Sequence, residues 1–118
     1  MRRLFDNEIP LVSFLIDQAK LSADLSALRV SSMDDGGMGS LAFAPFDTSR
    51  RFGRQVAECH FNDKDGTLVS ATLNLDQSNQ FFEVDVWRID FSPLKEWPTK
   101  KDIQPGPPGK RSEVTREQ

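Results

Sequence analysis

The sequence predicts a single α+β domain in which an N-terminal helix packs on an antiparallel meander of about five strands. Three observations lead to this fold class. Apolar residues recur at helical spacing near the N-terminus, and two turns of recognisable chemistry separate three strand-like runs in the second half. The chain has 118 residues, which is enough for one hydrophobic core. The helix and the strands therefore have to share that core.

The helix is predicted in the segment that follows Asp6. Pro10 falls early enough in this segment to be tolerated in the first helical turn. The apolar positions expected to face the core are Ile9, Val12, Leu15, Ile16 and Ala19. Residues 21–27 are expected to form a short helical or loop link, because their leucines suit a helix. Alternation at Leu28 and Val30 then begins the first strand.

Turn chemistry marks the boundaries of the strands. The run MDDGGMGS predicts a hairpin turn with SLAFA as the returning strand, and the loop APFDTSRRFG leads to three further strands, GRQVAECHF, TLVSATLNL and FFEVDVWRIDF. In the turn NDKDG, Asp63 and Asp65 can accept backbone N–H bonds and Gly66 can take a left-handed conformation. Asp76, Ser78 and Asn79 have the same roles in the turn DQSNQ. These strands form the predicted meander.

Composition changes after Trp97, where four of the seven prolines lie and no aromatic residue follows. Ile103 and Val114 are the two large apolar side chains in this stretch, too few to offset the entropy of ordering it. We therefore predict a folded domain over residues 1–98 and a flexible tail over 99–118.

Charge and location restrict the classes of function. Residues 1–98 carry 10 basic and 15 acidic side chains, and this net negative charge disfavours nucleic acid and suits a basic protein partner. The start MRRLFDNE lacks the apolar run of a signal peptide, and no segment is long enough to span a bilayer, so a cytoplasmic location is expected. No metal and no cofactor are expected from one Cys and one His. Cys59 and His60 point to opposite faces of a strand and cannot act as nucleophile and base together.

The last predicted strand mixes acidic and aromatic residues. Alternation places Phe82, Val84 and Val86 on the core face. The other face would carry Phe81, Glu83, Asp85, Trp87, Ile89 and Phe91. Two interpretations remain open for this second face. Either a bulge near Trp87 turns the aromatic residues inward and leaves only the acids in water, or the face is a recognition surface in which aromatic anchors lie beside charges.

Catalytic and phosphate-binding interpretations are disfavoured. Glu83 and Asp85 lie two apart on one strand face, as paired catalytic carboxylates can, but a small sheet offers little material for a deep cleft. The glycines from Gly36 to Gly39 are not followed by a helix, so they lack the N-terminal amides that would hold a phosphate. We therefore expect residues 36–39 to form a turn. We also expect the protein to have no enzyme activity.

A calcium loop is also disfavoured at Asp63 and Asp65. If Gly66 occupied the sixth position of such a loop, the first position would be Phe61 and the twelfth Thr72. Neither side chain is a suitable calcium ligand, so the segment is predicted to be a turn.

Three motifs resemble a family of small bacterial proteins known as a domain of unknown function. They are an acidic turn D-x-D-G, a strand ending L-N-x-D, and the run E-x-D-V-W-[RK]-x-D-F-x-P-L. The matching residues are Asp63, Asp65, Gly66, Leu73, Asn74, Asp76, Glu83, Asp85, Val86, Trp87, Arg88, Asp90, Phe91, Pro93 and Leu94. The resemblance implies a small α+β protein with no assigned activity, and it carries no catalytic residue over.

The same acidic and aromatic strand is similar to what immunity proteins of bacterial toxin systems show. This similarity implies a compact inhibitor that covers a toxin or another basic partner without chemistry of its own. The predicted contact residues are Glu83, Asp85, Trp87 and Asp90, with Arg88 as a charge at the rim.

Two alternative hypotheses assign the protein to other functional classes. A small enzyme or anion-binding domain would use the loop that carries Arg50, Arg51 and Arg54. A structural subunit would form a homodimer through an exposed strand edge, whereas the first two hypotheses are compatible with a monomer.

Overall fold

The computed structural model describes residues 1–109, which form one α-helix and six strands of a single antiparallel sheet. The elements are α1 (Ile9–Gln18), β1 (Val30–Ser32), β2 (Leu41–Phe43), β3 (Phe52–Asn62), β4 (Leu68–Asp76), β5 (Phe81–Arg88) and β6 (Gln104–Pro105). Their order across the sheet is β1-β2-β5-β4-β3-β6. The predicted α+β class is confirmed, with one strand more than the sequence indicated.

Helix α1 forms where its apolar periodicity predicts it. Pro10 lies in the first turn, where its missing N–H has no intrahelical partner to lose. The residues that the helix buries are Leu11, Val12, Leu15 and Ile16. They pack on β3 and β4, so the core lies between the helix and one face of the sheet. The other face of the same strands has no helix of residues 1–109 packed on it.

The meander and its turns have the predicted chemistry. Strands β3, β4 and β5 are neighbours in chain order, and the β1–β2 hairpin lies beside β5, with Leu41 opposite Val84. In the β3–β4 turn, Gly66 has a φ of 87°, and in the β4–β5 turn Asn79 has a φ of 64°. Asp76 accepts the N–H groups of Ser78 and Gln80 at 2.8 and 2.9 Å. Side-chain acceptors thus close both turns.

The predicted boundary after residue 98 needs a correction. Residues 99–109 are part of the folded structure, because Ile103 is 5% exposed and belongs to the core. Gln104 and Pro105 pair with His60 and Cys59 on the outer edge of β3. One well-placed apolar side chain and an unpaired strand edge are enough to hold a segment whose composition suggested a tail. Residues 110–118, the rest of the predicted tail, lie outside the described residues.

Candidate binding surface

Strand β5 has the alternation that the sequence predicts in its central part. Val84 and Val86 are 0% and 2% exposed and lie in the core. Glu83 and Asp85, which alternate with them, are half-buried, and Trp87 is 45% exposed. The acids and the indole therefore share the face of the sheet that lies opposite α1.

The start of β5 differs from the prediction. A register shift lies between Asn74 and Leu75 of β4, and at this point one extra residue of β5 bulges. As a result Phe81 packs against the core, with its ring centroid 5.4 Å from that of Phe43. The ring of Phe82 instead lies 5.3 Å from the guanidinium carbon of Arg50. The predicted assignment of these two phenylalanines was therefore wrong.

The predicted inward bulge near Trp87 is absent from β5. The pairing of β5 with β4 is continuous from Glu83 to Arg88, so nothing turns the aromatic residues towards the core. Trp87, Ile89 and Phe91 are 45%, 51% and 67% exposed. Phe91 has a φ of 63°, and its ring centroid lies 6.0 Å from that of Trp87. The two rings form a small aromatic patch at the end of the strand.

Cross-strand pairing extends the surface over three strands. Each pair lies on the same face, because directly opposed residues of an antiparallel sheet point the same way. The three rows run from β3 through β4 to β5 as Gln55, Asn74 and Glu83; Glu58, Thr72 and Asp85; and His60, Ser70 and Trp87. We call these nine residues the open face. Three of them are acids and none is Lys or Arg.

The two acids of β5 interact with each other on the open face. Burial and the negative charge of Asp85 raise the pKa of Glu83 to about 7. Asn74 Nδ2 donates to Asp85 Oδ2 at 2.9 Å and so orients that carboxylate. Within residues 1–109, no ion pair joins Glu58, Glu83 or Asp85 to a basic side chain. The open face therefore presents negative charge that the described part of the chain does not neutralise.

Arg88 is not a charge at the rim, and that predicted role was wrong. Its side chain is 2% exposed, on the core side of β5 beyond Val84 and Val86. The guanidinium forms ion pairs with Asp63, with Asp65 at 2.7 Å and with Asp90 at 2.9 Å. A fully buried arginine needs such partners, because an unpaired charge there would be strongly destabilising.

The carboxylates around Arg88 fasten the β3–β4 turn to the segment after β5. Asp63 also accepts the backbone N–H groups of Lys95 and Glu96 at 2.8 and 3.0 Å. Burial opposes ionisation of Asp63, but these bonds and Arg88 together lower its pKa. Hydrogen bonds from Arg88 hold the pKa values of Asp65 and Asp90 well below their usual range. Asp90 is thus turned towards Arg88, although half of its side chain remains exposed.

Arg50, one of the three arginines of the predicted anion site, forms a structural ion pair. Arg50 is 8% exposed and its Nε donates to Asp76 Oδ2 at 2.8 Å. Its other nitrogens donate to the carbonyl oxygens of Phe43 and Phe81 and to that of Pro45. Arg51 and Arg54 are exposed, and Arg54 Nε donates to Asn79 Oδ1 at 3.3 Å. The guanidinium of Arg50 thus holds the β2–β3 loop on the sheet, which is a structural role.

Two further residues with reactive side chains are Cys59 and His60, and both have structural contacts. Cys59 is fully buried, and burial together with Glu58 raises the pKa of its thiol to about 12. His60 lies on the open face with Nδ1 2.8 Å from the carbonyl oxygen of Gly106. No group of three or more His, Cys, Asp or Glu side chains within residues 1–109 is arranged to hold a metal ion.

Sequence reasoning missed the contribution of the two neighbouring strands to the surface. Glu58, Thr72 and Asn74 join Glu83 and Asp85 through strand register, which a single strand does not encode. For Arg88 a signal was present, because the residue continues the period-two series of Val84 and Val86 into the core. A buried arginine predicts several carboxylates nearby, and the sequence supplies them.

Comparison with known proteins gives a family for the chain. A family model described as "Domain of unknown function (DUF6984)" matches residues 1–98. No curated protein and no solved structure matches the chain. Among residues 1–109, no helix is long and apolar enough to cross a membrane. The chain therefore belongs to the DUF6984 family of domains of unknown function.

Proposed function

We propose that this protein is a non-enzymatic binding protein whose open face covers a basic protein partner, in the manner of an immunity-type inhibitor. The observation that carries the proposal is the acidic group formed by Glu58, Glu83 and Asp85, which has no basic partner within residues 1–109 and lies beside the exposed ring of Trp87. Aromatic anchors are enriched at protein interfaces, and complementary charge steers a partner to its docking orientation. The sheet supports these side chains on three paired strands, so they are presented in a rigid arrangement.

The proposed set of contacts differs from the expected one. We retain Glu83, Asp85 and Trp87 as proposed contacts and add Glu58 and Phe91, which lie beside them. Asp90 contributes only through the half of its side chain that Arg88 leaves exposed, and Arg88 positions the end of β5 without touching a partner. Trp87 is 45% exposed, and the acids Glu58, Glu83 and Asp85 are partly exposed, so a partner can contact these side chains directly.

A capture experiment with matched variants tests the proposal. The tagged protein is incubated with lysate of its source cells, beside a variant with Asp85→Lys and Trp87→Ala. The control carries Asp17→Lys and Leu21→Ala, which make the same charge change and truncate an exposed apolar side chain in and just after α1, away from the open face. We expect one stoichiometric basic partner, bound by wild type and control, lost by the open-face variant and weakened by salt. Retention by the open-face variant within twofold of wild type would contradict the proposal.

A homodimer through a strand edge remains a second candidate, because β6 covers only part of β3. Phe52 and Arg54 are exposed on β3 before the two residues that pair with β6. Two register shifts fall in this part of β3, and such bulges disfavour edge-to-edge pairing. Sedimentation equilibrium at micromolar concentration distinguishes the two candidates, since a folded monomer excludes an obligate dimer.

A further inference from the structure

An arginine between an aromatic ring and a carboxylate occurs at the N-terminus of the chain. The guanidinium carbon of Arg2 lies 3.8 Å from the ring centroid of Phe5. The same side chain donates to both carboxylate oxygens of Glu8, at 2.9 and 3.0 Å. Stacking and a bidentate ion pair thus act on one planar group.

The same combination occurs at the start of β5. Arg50 lies 5.3 Å from the ring centroid of Phe82 and donates to Asp76 at 2.8 Å. Here too one guanidinium lies near an aromatic ring and donates to a carboxylate. Arginine fits both, whereas the compact ammonium group of lysine has no plane to stack.

A third ring and carboxylate lie together on the open face, where the described chain supplies no arginine. Trp87 and Asp85 are two residues apart on one face of β5, so their Cα atoms are separated by roughly 7 Å. That separation suits a side chain that lies along the strand between them. Trp87 is 45% exposed, and within residues 1–109 neither Asp85 nor Glu83 has a basic partner.

We propose that the open face takes an arginine side chain of the protein partner, with the guanidinium plane against the Trp87 indole and its N–H groups donating to Asp85 and Glu83. This inference rests on the proposed function and specifies the partner's chemistry. Charge complementarity supports it, because a cation placed there pairs with the Asp85 carboxylate and favours ionisation of the adjacent Glu83. Asn74 holds one oxygen of Asp85 by its amide, so the carboxylate is already oriented before a partner binds.

The protonation of Glu83 is consistent with this occupant. Burial and the neighbouring Asp85 raise its pKa to about 7, so much of it is protonated at neutral pH. A guanidinium beside it favours the charged form and releases the proton. Binding is therefore expected to strengthen as the pH rises from 6 to 8.

Matched peptides provide the test. The full-length protein labelled with 15N is titrated with the blocked peptide Gly-Arg-Gly-Arg-Gly and with its lysine counterpart, at equal ionic strength. The backbone amide signals of β5 report binding in every variant, and the indole N–H signal of Trp97, which packs against the core, serves as an internal reference. We expect the arginine peptide to bind at least threefold more tightly. Asp85→Asn and Trp87→Leu should each weaken it about fivefold or more.

The control variant is Asp17→Asn, which removes the same charge from α1, where Asp17 forms an exposed ion pair with Lys100 at 3.1 Å. Equal affinity for both peptides, with both lost in Asp85→Asn, would overturn the arginine inference and leave the proposed function standing. Binding that falls equally in Asp17→Asn would show unspecific attraction to negative charge and overturn both. Absence of binding by either peptide would also overturn both.

Discussion

Substitution of Ile103 tests whether the segment after residue 98 belongs to the fold. Ile103 is 5% exposed and packs in the same cluster as the residues of α1 and the sheet. Ile103→Ala removes three carbon groups, which at about 0.8 kcal/mol per buried CH₂ amounts to roughly 2.4 kcal/mol. A cavity adds to this cost, but neighbours at a short edge strand can partly close it. We expect the free energy of unfolding to fall by about 2–3 kcal/mol.

Urea unfolding followed by far-UV circular dichroism measures this loss. With a slope of about 1–3 kcal/mol per molar urea, the unfolding midpoint should fall by about 1–2 M. Ile89→Ala is the matched control, because Ile89 is 51% exposed and its truncation should change stability by less than about 0.5 kcal/mol. If Ile103→Ala cost no more than Ile89→Ala, Ile103 would not be a core residue and the tail predicted from composition would be correct from residue 99.

Three further predictions concern other parts of the sheet. Between pH 4.5 and about 7 the folded protein binds more protons at Glu83 than the unfolded chain does. The free energy of unfolding should therefore fall as the pH rises through this range, by roughly 1 kcal/mol after allowing for solvent screening. Glu83→Gln should remove this pH dependence, which urea unfolding at each pH measures. Gly53→Ala should shift the amide signals of β3 and β4 and lower the melting temperature, because a Cβ there would clash with the backbone carbonyl oxygen of Asp76; unchanged signals and stability would contradict this close approach. Cys59, with a pKa of about 12 and no exposure, should react with a thiol reagent only after unfolding in urea, and rapid reaction of the native protein would contradict its burial.

The candidate surface was predictable only along one strand. Period-two alternation places Glu83, Asp85 and Trp87 on one face, and the structure keeps them there. The prediction for Arg88 is wrong because a charged side chain is expected in water, whereas the same alternation continues from Val84 and Val86 and places Arg88 in the core. The prediction for Asp90 omits its pairing with Arg88, which lies two residues away and donates to it at 2.9 Å.

Local patterns determined the elements of this protein. Helical spacing from Ile9, side-chain acceptors in the turns and alternation along β5 act between residues that are close in sequence, so they can be recognised without a tertiary structure. The register of β3, β4 and β5, the burial of Arg88 among three carboxylates and the docking of Ile103 depend on contacts between distant segments. Such contacts stabilise the protein only when the distant segments pack together. Their stabilisation then exceeds the entropy cost of ordering a proline-rich segment. Only the tertiary structure therefore determined that the fold continues past residue 98. It also determined which side chains the open face presents.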